Sequence, residues 1–476
     1  MSFIRNSLVL IAGMALASAQ AQTADTLTLS LDQCISIALS DNPTIRVADM
    51  EIERMDYSKK ETLGQLLPTI SFGGSYSRTL AKQTMYMNMD AFGGGGEDAE
   101  GEGGEGSSSA SSAMASRARG GDGGIKVGLD NSYSMGFNAS MPLIASQLWK
   151  TLKLSDSQIL QSVETARQSR IQLINQVKNA YYTLLLAEDS YRVITESYDM
   201  AKFTADMYEK QFSLGAASEY DVLRTKVAVK NVEPELTQAT IAIKQARLQL
   251  QILMGMSTLQ PIKPTATLSE YERTMYEDVL STDRSIENNS DLRMLDIQTR
   301  QLRDALTIQK MAWYPTLAMT ANYNWTSMSN GNPLKGFRWS PYSMVGLQLT
   351  IPLFEGGQRY SRIKQARIQV DEMAYQRENL VRQINMQTDV AMDNIQLNVK
   401  QIASCAESVG QAEKAHDIAR RSFEIGAATY LNLRDSELAL TQSRLAYYQA
   451  IYNYLIARSD LELLLGNADP ASYSSK

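Results

Sequence analysis

The sequence FSLGAASEYDVL at residues 212–223 returns in altered form as FEIGAATYLNL at residues 423–433. The central glycines of the two segments stand 211 positions apart. A second pair, LMG at 253–255 and LLG at 464–466, is separated by the same 211 positions. One such resemblance arises by chance, but two in the same order and at the same spacing predict an internal duplication of the chain.

Two earlier pairs extend this duplication and reveal an insertion. MPL at 141–143 matches IPL at 351–353, and LPT at 67–69 matches YPT at 314–316. The spacing grows from 210 to 247 positions between these pairs, so the first half carries about 37 additional residues. Residues 93–124 account for most of them and are mostly Gly, Ser, Glu and Ala. A run of this composition has no apolar periodicity, which predicts a disordered loop.

Four segments alternate apolar and small polar residues, at about 68–77, 133–142, 315–326 and 342–353. The alternation predicts β-strands with one apolar face. Strands of about this length, with aromatic residues near their ends, are typical of transmembrane β-barrels. A soluble antiparallel sheet with one face in water alternates in the same way. The N-terminal segment favours the membrane interpretation.

This N-terminal segment, residues 1–21, reads as a cleavable signal peptide. Arg5 precedes an apolar run at 8–17, and small residues follow with cleavage-site spacing, which places cleavage near Ala19 or Ala21. About ten apolar residues are too few for a helix to cross ~30 Å of hydrocarbon. The mature chain is therefore expected to leave the cytoplasm.

Most of the remaining chain is predicted to be helical. Residues 148–212 and 357–425 contain no proline, and their apolar residues recur at helical spacing. Each segment predicts a rod of roughly 95 Å, which is too long for a compact domain and too polar for lipid. Such rods are expected to pack on one another as coiled hairpins. Gly215 suits a left-handed helix end, and Ser218 suits the start of the return helix.

Four strands per chain cannot close a barrel with a usable interior, since about eight are needed. The edge strands of the sheet therefore need strands to pair with, and symmetric copies of the same chain supply them most simply. The open edges therefore predict an oligomer, without giving its number of subunits.

Composition excludes several other classes. The net charge of −6 offers no basic surface for nucleic acid. Cys34 and Cys405 are too few for a disulfide scaffold, and their helical surroundings favour free thiols over a bridge. The single histidine, His416, is expected on a solvated helix face rather than as a metal ligand.

No enzyme motif is apparent. Gly93–Gly96 lacks the Gly-Lys-Ser/Thr that completes a phosphate loop. The acidic residues between Glu97 and Glu105 could attract Ca²⁺ loosely, although a solvated charge run explains them better. We therefore expect neither an enzyme nor a bound cofactor or metal.

The assembled residues resemble the TolC-like outer membrane efflux family from about Leu27 to Gly466. The resemblance is most specific at residues 27–43, at the two Gly-Ala-Ala-Ser/Thr segments, and at IPLFEGG of 351–357. It implies a mixed α+β membrane protein with a duplicated β-β-α-α unit. Four strands of each chain would enter one transmembrane β-barrel of a homotrimer, and the long helical hairpins would form a periplasmic α-barrel.

The domain organisation follows from the repeat. We expect a signal peptide at 1–21, a first repeat at 22–255, an equatorial linker at 256–290, a second repeat at 291–466 and a C-terminal tail at 467–476.

The resemblance also implies partners and sites. The partners are outer-membrane lipid, a periplasmic adaptor and an inner-membrane pump that supplies the energy. The helix tips at the periplasmic end would contact the adaptor, and carried onto this chain they are Leu214, Gly215, Ala217, Ser218, Ile425, Gly426, Ala428 and Thr429. Well-studied members have two aspartates just beyond the second tip, which line the gate. Here these positions are Asn432 and Asp435, so one acidic ring is kept and one is neutral.

The function expected from all of these features is an outer-membrane duct of a tripartite efflux or type I secretion system, extending into the periplasm. A periplasmic structural coiled-coil protein would explain the helices but not the alternating strands. A simple porin would explain the strands but not rods of roughly 95 Å. The sequence does not identify the cargo or the class of pump.

Overall fold

A computed structural model describes most of the chain. The segment 1–21 and the Gly-rich residues 93–124, with their acidic run, lie outside the described residues. The structure describes residues 27–85, 125–272, 285–330, 332, 338–467, 470 and 473.

The described elements alternate short strands with helices of very different length. In chain order they are β1 (Leu27–Leu29), α1 (Leu31–Asp41), α2 (Pro43–Gly64), β2 (Thr69–Arg78), β3 (Gln83–Met85), β4 (Ile125–Val127), β5 (Asn131–Ile144), α3 (Ser146–Ser213), α4 (Glu219–Leu253), β6 (Ile262–Pro264), α5 (Leu268–Glu272), α6 (Ser290–Met311), β7 (Thr316–Ser329), β8 (Ser340–Thr350), α7 (Gln358–Glu424) and α8 (Tyr430–Leu465).

These elements belong to two compact units. The helical unit comprises Met1–Lys59, Lys153–Leu306 and Arg362–Lys476, and the sheet unit comprises Lys60–Leu152 and Thr307–Ser361.

The sheet unit contains an antiparallel sheet with the order β2-β5-β7-β8. All four predicted strands are present, and their ends differ from the expected ones by at most three residues. The central pair, β5 and β7, joins the two halves of the sequence, with Phe137 opposite Tyr323. β3 and β4 form a separate two-stranded antiparallel sheet.

The two faces of this sheet differ in chemistry. Cross-strand partners share a face, and neighbours along a strand alternate. Phe72, Phe137 and Tyr323 therefore lie in one apolar row, where the rings of the first two are 4.9 Å apart. The next row holds Asn138 and Asn322 on the opposite face. Within the four described strands the terminal Arg78 is the one charged residue.

Helices α3 and α7 dominate the helical unit with 68 and 67 residues. At a rise of 1.5 Å per residue each is about 100 Å long. The return helices α4 and α8 are about half as long, with 35 and 36 residues. No helix in the described ranges is both long enough and apolar enough to cross a membrane.

The core of the helical unit lies midway along α3. Tyr181 and Leu184 of α3 are fully buried there with Tyr454 of α8. Cys34 of α1 joins this core as a free thiol, and burial raises its pKa to about 12. The prediction of free cysteines is confirmed for both Cys34 and Cys405.

The segment between the halves is anchored to this core. β6 pairs in parallel with β1, so Ile262 lies opposite Leu27. The backbone N–H of Leu268, at the start of α5, donates to the buried carboxylate of Asp189 on α3 at 3.2 Å. Because a carboxylate offsets the positive end of a helix, Asp189 fixes α5 against α3.

Matching joints hold the ends of the return helices. The Asn42 side-chain amide donates to the carbonyl of Leu253 at 2.7 Å, at the end of α4. The Asn289 amide donates to the carbonyl of Leu464 at the same distance, at the end of α8. Gly466, which follows α8, lies so close to the backbone of Asn288 that an added Cβ would be 2.1 Å from the Asn288 carbonyl oxygen.

Candidate functional site

The turn between α3 and α4, which we call the first tip, is a left-handed helix cap. Gly215 has a φ of +74°, a conformation in which glycine is favoured. The N–H of Ala216 donates to the carbonyl of Gln211 at 2.7 Å, and the N–H of Gly215 donates to that of Phe212 at 2.9 Å. These two bonds form a Schellman motif, which satisfies carbonyls that the helix end would leave unpaired.

The turn between α7 and α8, the second tip, repeats this geometry. Gly426 has a φ of +76°. The N–H of Ala427 donates to the carbonyl of Ser422 at 2.8 Å, and that of Gly426 donates to Phe423 at 3.0 Å. The two tips therefore share their sequence pattern and their hydrogen bonds.

Both return helices begin with a hydroxyl cap. The Ser218 hydroxyl accepts from the N–H of Asp221 at 3.2 Å and donates to its carboxylate at 2.6 Å. The Thr429 hydroxyl accepts from the N–H of Asn432 at 3.4 Å and donates to its side-chain oxygen at 3.1 Å. Asn432 is thus the counterpart of Asp221, and its amide oxygen takes part in the cap of α8.

The tips present apolar side chains outward. Leu214 and Ile425, each one residue before its glycine, are 82% and 80% exposed. Ala217 and Ala428, each three residues further along the chain, are half-buried. Asp435 is exposed and lies one turn beyond Asn432 on the same helical face.

Aromatic contacts close to the tips join the hairpin of α3 and α4, the first hairpin, to that of α7 and α8, the second hairpin. The ring of Tyr208 on α3 lies 6.3 Å from Phe423 of α7 and 5.7 Å from Tyr430 of α8. From α4, the guanidinium of Arg224 lies 5.2 Å from the Tyr430 ring centroid. Sequence reasoning missed this cluster, because a tyrosine in a helical stripe does not reveal which distant helix it meets.

Arg444 forms a second link between the hairpins. From α8 it pairs with Glu196 of α3 at 2.7 Å and with Glu413 of α7 at 2.9 Å. One side chain therefore connects three helices, and it is only 30% exposed.

The prediction for His416 is wrong. His416 is 8% exposed, and its Nδ1 lies 3.3 Å from the Ser436 hydroxyl of α8. Desolvation by burial lowers its pKa, and the positive charge of Arg420 acts in the same direction. The polar residues next to it in sequence pointed to a wet face, but α8 covers the face that carries His416.

Within the described ranges, no cluster of His, Cys, Asp or Glu has the composition to hold a metal ion. The acidic run of residues 97–105 lies outside these ranges.

The family model described as "Outer membrane efflux protein" matches residues 34–256 and 282–467. The cobalt-zinc-cadmium resistance protein CzcC of Cupriavidus metallidurans is 24% identical over 298 residues, which are 61% of this chain and 67% of CzcC. The outer membrane protein TolC of Escherichia coli is 22% identical over 365 residues, covering 71% of this chain and 73% of TolC.

Solved structures share the fold. The CmeC outer membrane channel of Campylobacter jejuni superposes with a TM-score of 0.65 at 17% identity, covering 93% of this chain and 88% of CmeC. The family model covers most of the sequence in two segments, one in each half. The chain belongs to the outer membrane efflux protein family, whose members are channels of the outer membrane that extend into the periplasm.

Proposed function

We propose that this chain is the outer-membrane duct of a tripartite efflux or type I secretion system. It conducts substrate passively from a periplasmic adaptor and an inner-membrane pump to the exterior. One observation carries this proposal: a single chain combines a sheet of nearly uncharged strands with helices of about 100 Å that end in two matched tips. A simple porin has no use for such helices, and a structural coiled coil has none for such strands.

The functional form in this proposal is a homotrimer. Strands β2 and β8 form the two edges of the sheet and leave rows of backbone groups to be paired. Three copies would join these edges and supply twelve strands, more than the about eight that a barrel with an interior needs. The apolar row with Phe72, Phe137 and Tyr323 would face lipid, and the row with Asn138 and Asn322 would face the lumen.

The proposal treats the two halves as copies of one unit. The matched tips and the joints of Asn42 and Asn289 support this interpretation, since each recurs at equivalent positions. A duplicated unit explains why one chain supplies two long hairpins to a periplasmic α-barrel.

We place the adaptor contact at the two tips and the gate at Asn432 and Asp435. The exposed Leu214 and Ile425 offer an apolar surface to a partner, as docking sites usually do. The gate opens when the second hairpin slides against the first, a shear of packed helices.

Two measurements on the purified protein test the duct. Its mass in detergent is expected to be that of a trimer, and reconstitution in planar bilayers is expected to give stepwise ion conductance. A stable monomer that inserts and conducts would overturn the proposed assembly. A trimer without conductance under any applied potential would overturn the duct itself.

A further inference from the structure

A groove of about 320 Å³ lies near the second tip, between α3, α7 and α8. Its wall on α3 is apolar and aromatic, and includes Met200, Phe203 and Tyr208. Phe423 of α7 continues the aromatic wall, and the charged lining residues are Arg420, Glu424 and Glu437. The groove thus combines flat apolar surfaces with a carboxylate.

Glu437 is unusual among the acidic residues of this region. It is 6% exposed, and its carboxylate forms no hydrogen bond or ion pair with any residue that the structure describes. Desolvation by burial raises its pKa, and the positive charge of Arg434 offsets this effect only in part. A buried carboxylate that forms no ion pair is costly unless a ligand supplies the pairing charge.

The other charges on the groove are already matched. Arg420 lies 3.6 Å from a carboxylate oxygen of Asp417 and 3.8 Å from one of Glu424. Glu424 is 63% exposed, so water also solvates it. The unmatched charge of the groove is therefore that of Glu437.

We propose that this groove binds an amphiphilic organic cation, with the charged nitrogen at the Glu437 carboxylate and the apolar part against Phe203, Tyr208 and Phe423. A charge-assisted contact to the carboxylate and cation–π contacts to the rings both favour such a ligand. A hydrated metal ion fits less well, since it needs several oxygen ligands and gains nothing from apolar walls.

The site extends the duct proposal by giving this chain its own preference for a class of small molecule. The groove touches α3 of the first hairpin and both helices of the second. A ligand that contacts both hairpins prefers one of their relative positions, so its binding also biases the gate.

Benzyltrimethylammonium, a permanent cation with one aromatic ring, is the probe for this site. Isothermal titration into the purified full-length protein, in an uncharged detergent, is expected to show saturable binding. Benzenesulfonate, which carries the opposite charge on a similar ring, is expected not to bind. Glu437→Gln removes the charge at nearly constant volume and is expected to weaken binding at least tenfold. Glu424→Gln, on the same groove, is the matched control and should leave the affinity within about twofold.

Loss of binding through misfolding is checked by thermal unfolding of the same samples. A neutral glutamine side chain is cheaper to bury than a carboxylate, so the melting temperature of Glu437→Gln is expected not to fall. The proposal is overturned if the unaltered protein shows no saturable binding, if Glu437→Gln binds equally well, or if Glu424→Gln loses as much affinity. A failure of ion conductance with cation binding intact would count against the duct and leave this site standing.

Discussion

At the scale of single residues, the two positions where we propose the gate hold one acidic residue, Asp435, and one neutral residue, Asn432. The amide oxygen of Asn432 accepts a hydrogen bond from the Thr429 hydroxyl, whereas Asp435 is exposed one turn further along α8. A fixed negative charge in a narrow passage attracts cations, and its effect grows as the passage excludes water. Selectivity at the proposed gate should therefore depend on Asp435.

Asp435→Asn is expected to lower the cation preference of the open channel, measured as the reversal potential in a salt gradient across a planar bilayer. Asn432→Asp is the matched opposite change, because it adds an acidic residue. The equivalent position of the first return helix already holds an aspartate, Asp221, which takes part in the helix cap. This variant is expected to raise the cation preference. An unchanged reversal potential in both variants would remove these two residues from the gate.

His416 predicts a pH dependence of stability. Its pKa is lowered in the folded protein, so folding favours the neutral ring. Its contribution to stability is fully present above the unfolded pKa of about 6.5 and is lost as the pH falls below that value. Thermal melting of the unaltered protein and of His416→Gln is the measurement. The difference between their melting temperatures is expected to change between pH values of about 7.5 and 5.5, in the direction that penalises the unaltered protein at low pH.

Glu437 predicts a pH dependence of stability with the opposite sign. Its pKa is raised, so its burial disfavours the folded state at pH values above the ordinary glutamate pKa. Glu437→Gln is therefore expected to melt at an equal or higher temperature near neutral pH. Its advantage should shrink as the pH falls toward the ordinary glutamate pKa of about 4.3. A clear loss of stability near neutral pH would mean that the carboxylate has a stabilising partner in the assembled protein.

At the scale of elements, the tips depend on two positive φ angles. Gly215 and Gly426 have open space around the position of a Cβ, so the backbone angle rather than crowding limits substitution. Valine is expected to destabilise each tip by about 1–2 kcal/mol, whereas asparagine, which tolerates this region, should cost less. With the adaptor contact placed at the tips, the double valine variant should lose coupled export and keep membrane insertion. The readouts are an export assay in a host lacking the native protein and outer-membrane fractionation; normal export would remove the tips from adaptor contact.

The two asparagine joints provide a stability prediction. Asn42→Ala and Asn289→Ala each leave a carbonyl at the end of a return helix without its amide donor. Each is expected to cost about 1–3 kcal/mol, the cost of an unsatisfied buried polar group. Asn288→Ala, at an exposed neighbouring position, should stay within about 0.5 kcal/mol. Denaturant midpoints measure all three; equal effects at positions 288 and 289 would contradict the anchoring role.

The sequence predicts the strands and the tips well because their signals are local. Alternation places Phe72 and Phe137 on one face, and Gly215 with Ser218 defines a turn without reference to any other part of the chain. The pairing of distant helices has no such signal. Glu437 and Tyr208 line the same groove although more than 200 residues of sequence separate them, and His416 is buried because α8 packs against it. Local pattern therefore predicts elements, and tertiary packing decides the sites.

At the scale of the whole molecule, the proposed function rests on features that neither half could provide alone. β5 from the first half pairs with β7 from the second, so each half extends the sheet of the other. The Tyr208 cluster links the two long hairpins near their tips, and Arg444 links them farther from the tips. Motion at the proposed gate is therefore expected to alter contacts between the halves.

The length of α3 beyond the central core has a geometric consequence. Tyr181 lies in the buried core, and 32 residues beyond it the helix ends at Ser213. The part of α3 between Tyr181 and Ser213 is therefore about 48 Å long. A tilt of about 6° at the core then moves the tip by about 5 Å, roughly one turn of helix. A modest angular change is thus geometrically sufficient to displace the far end of α3 by the width of a small solute.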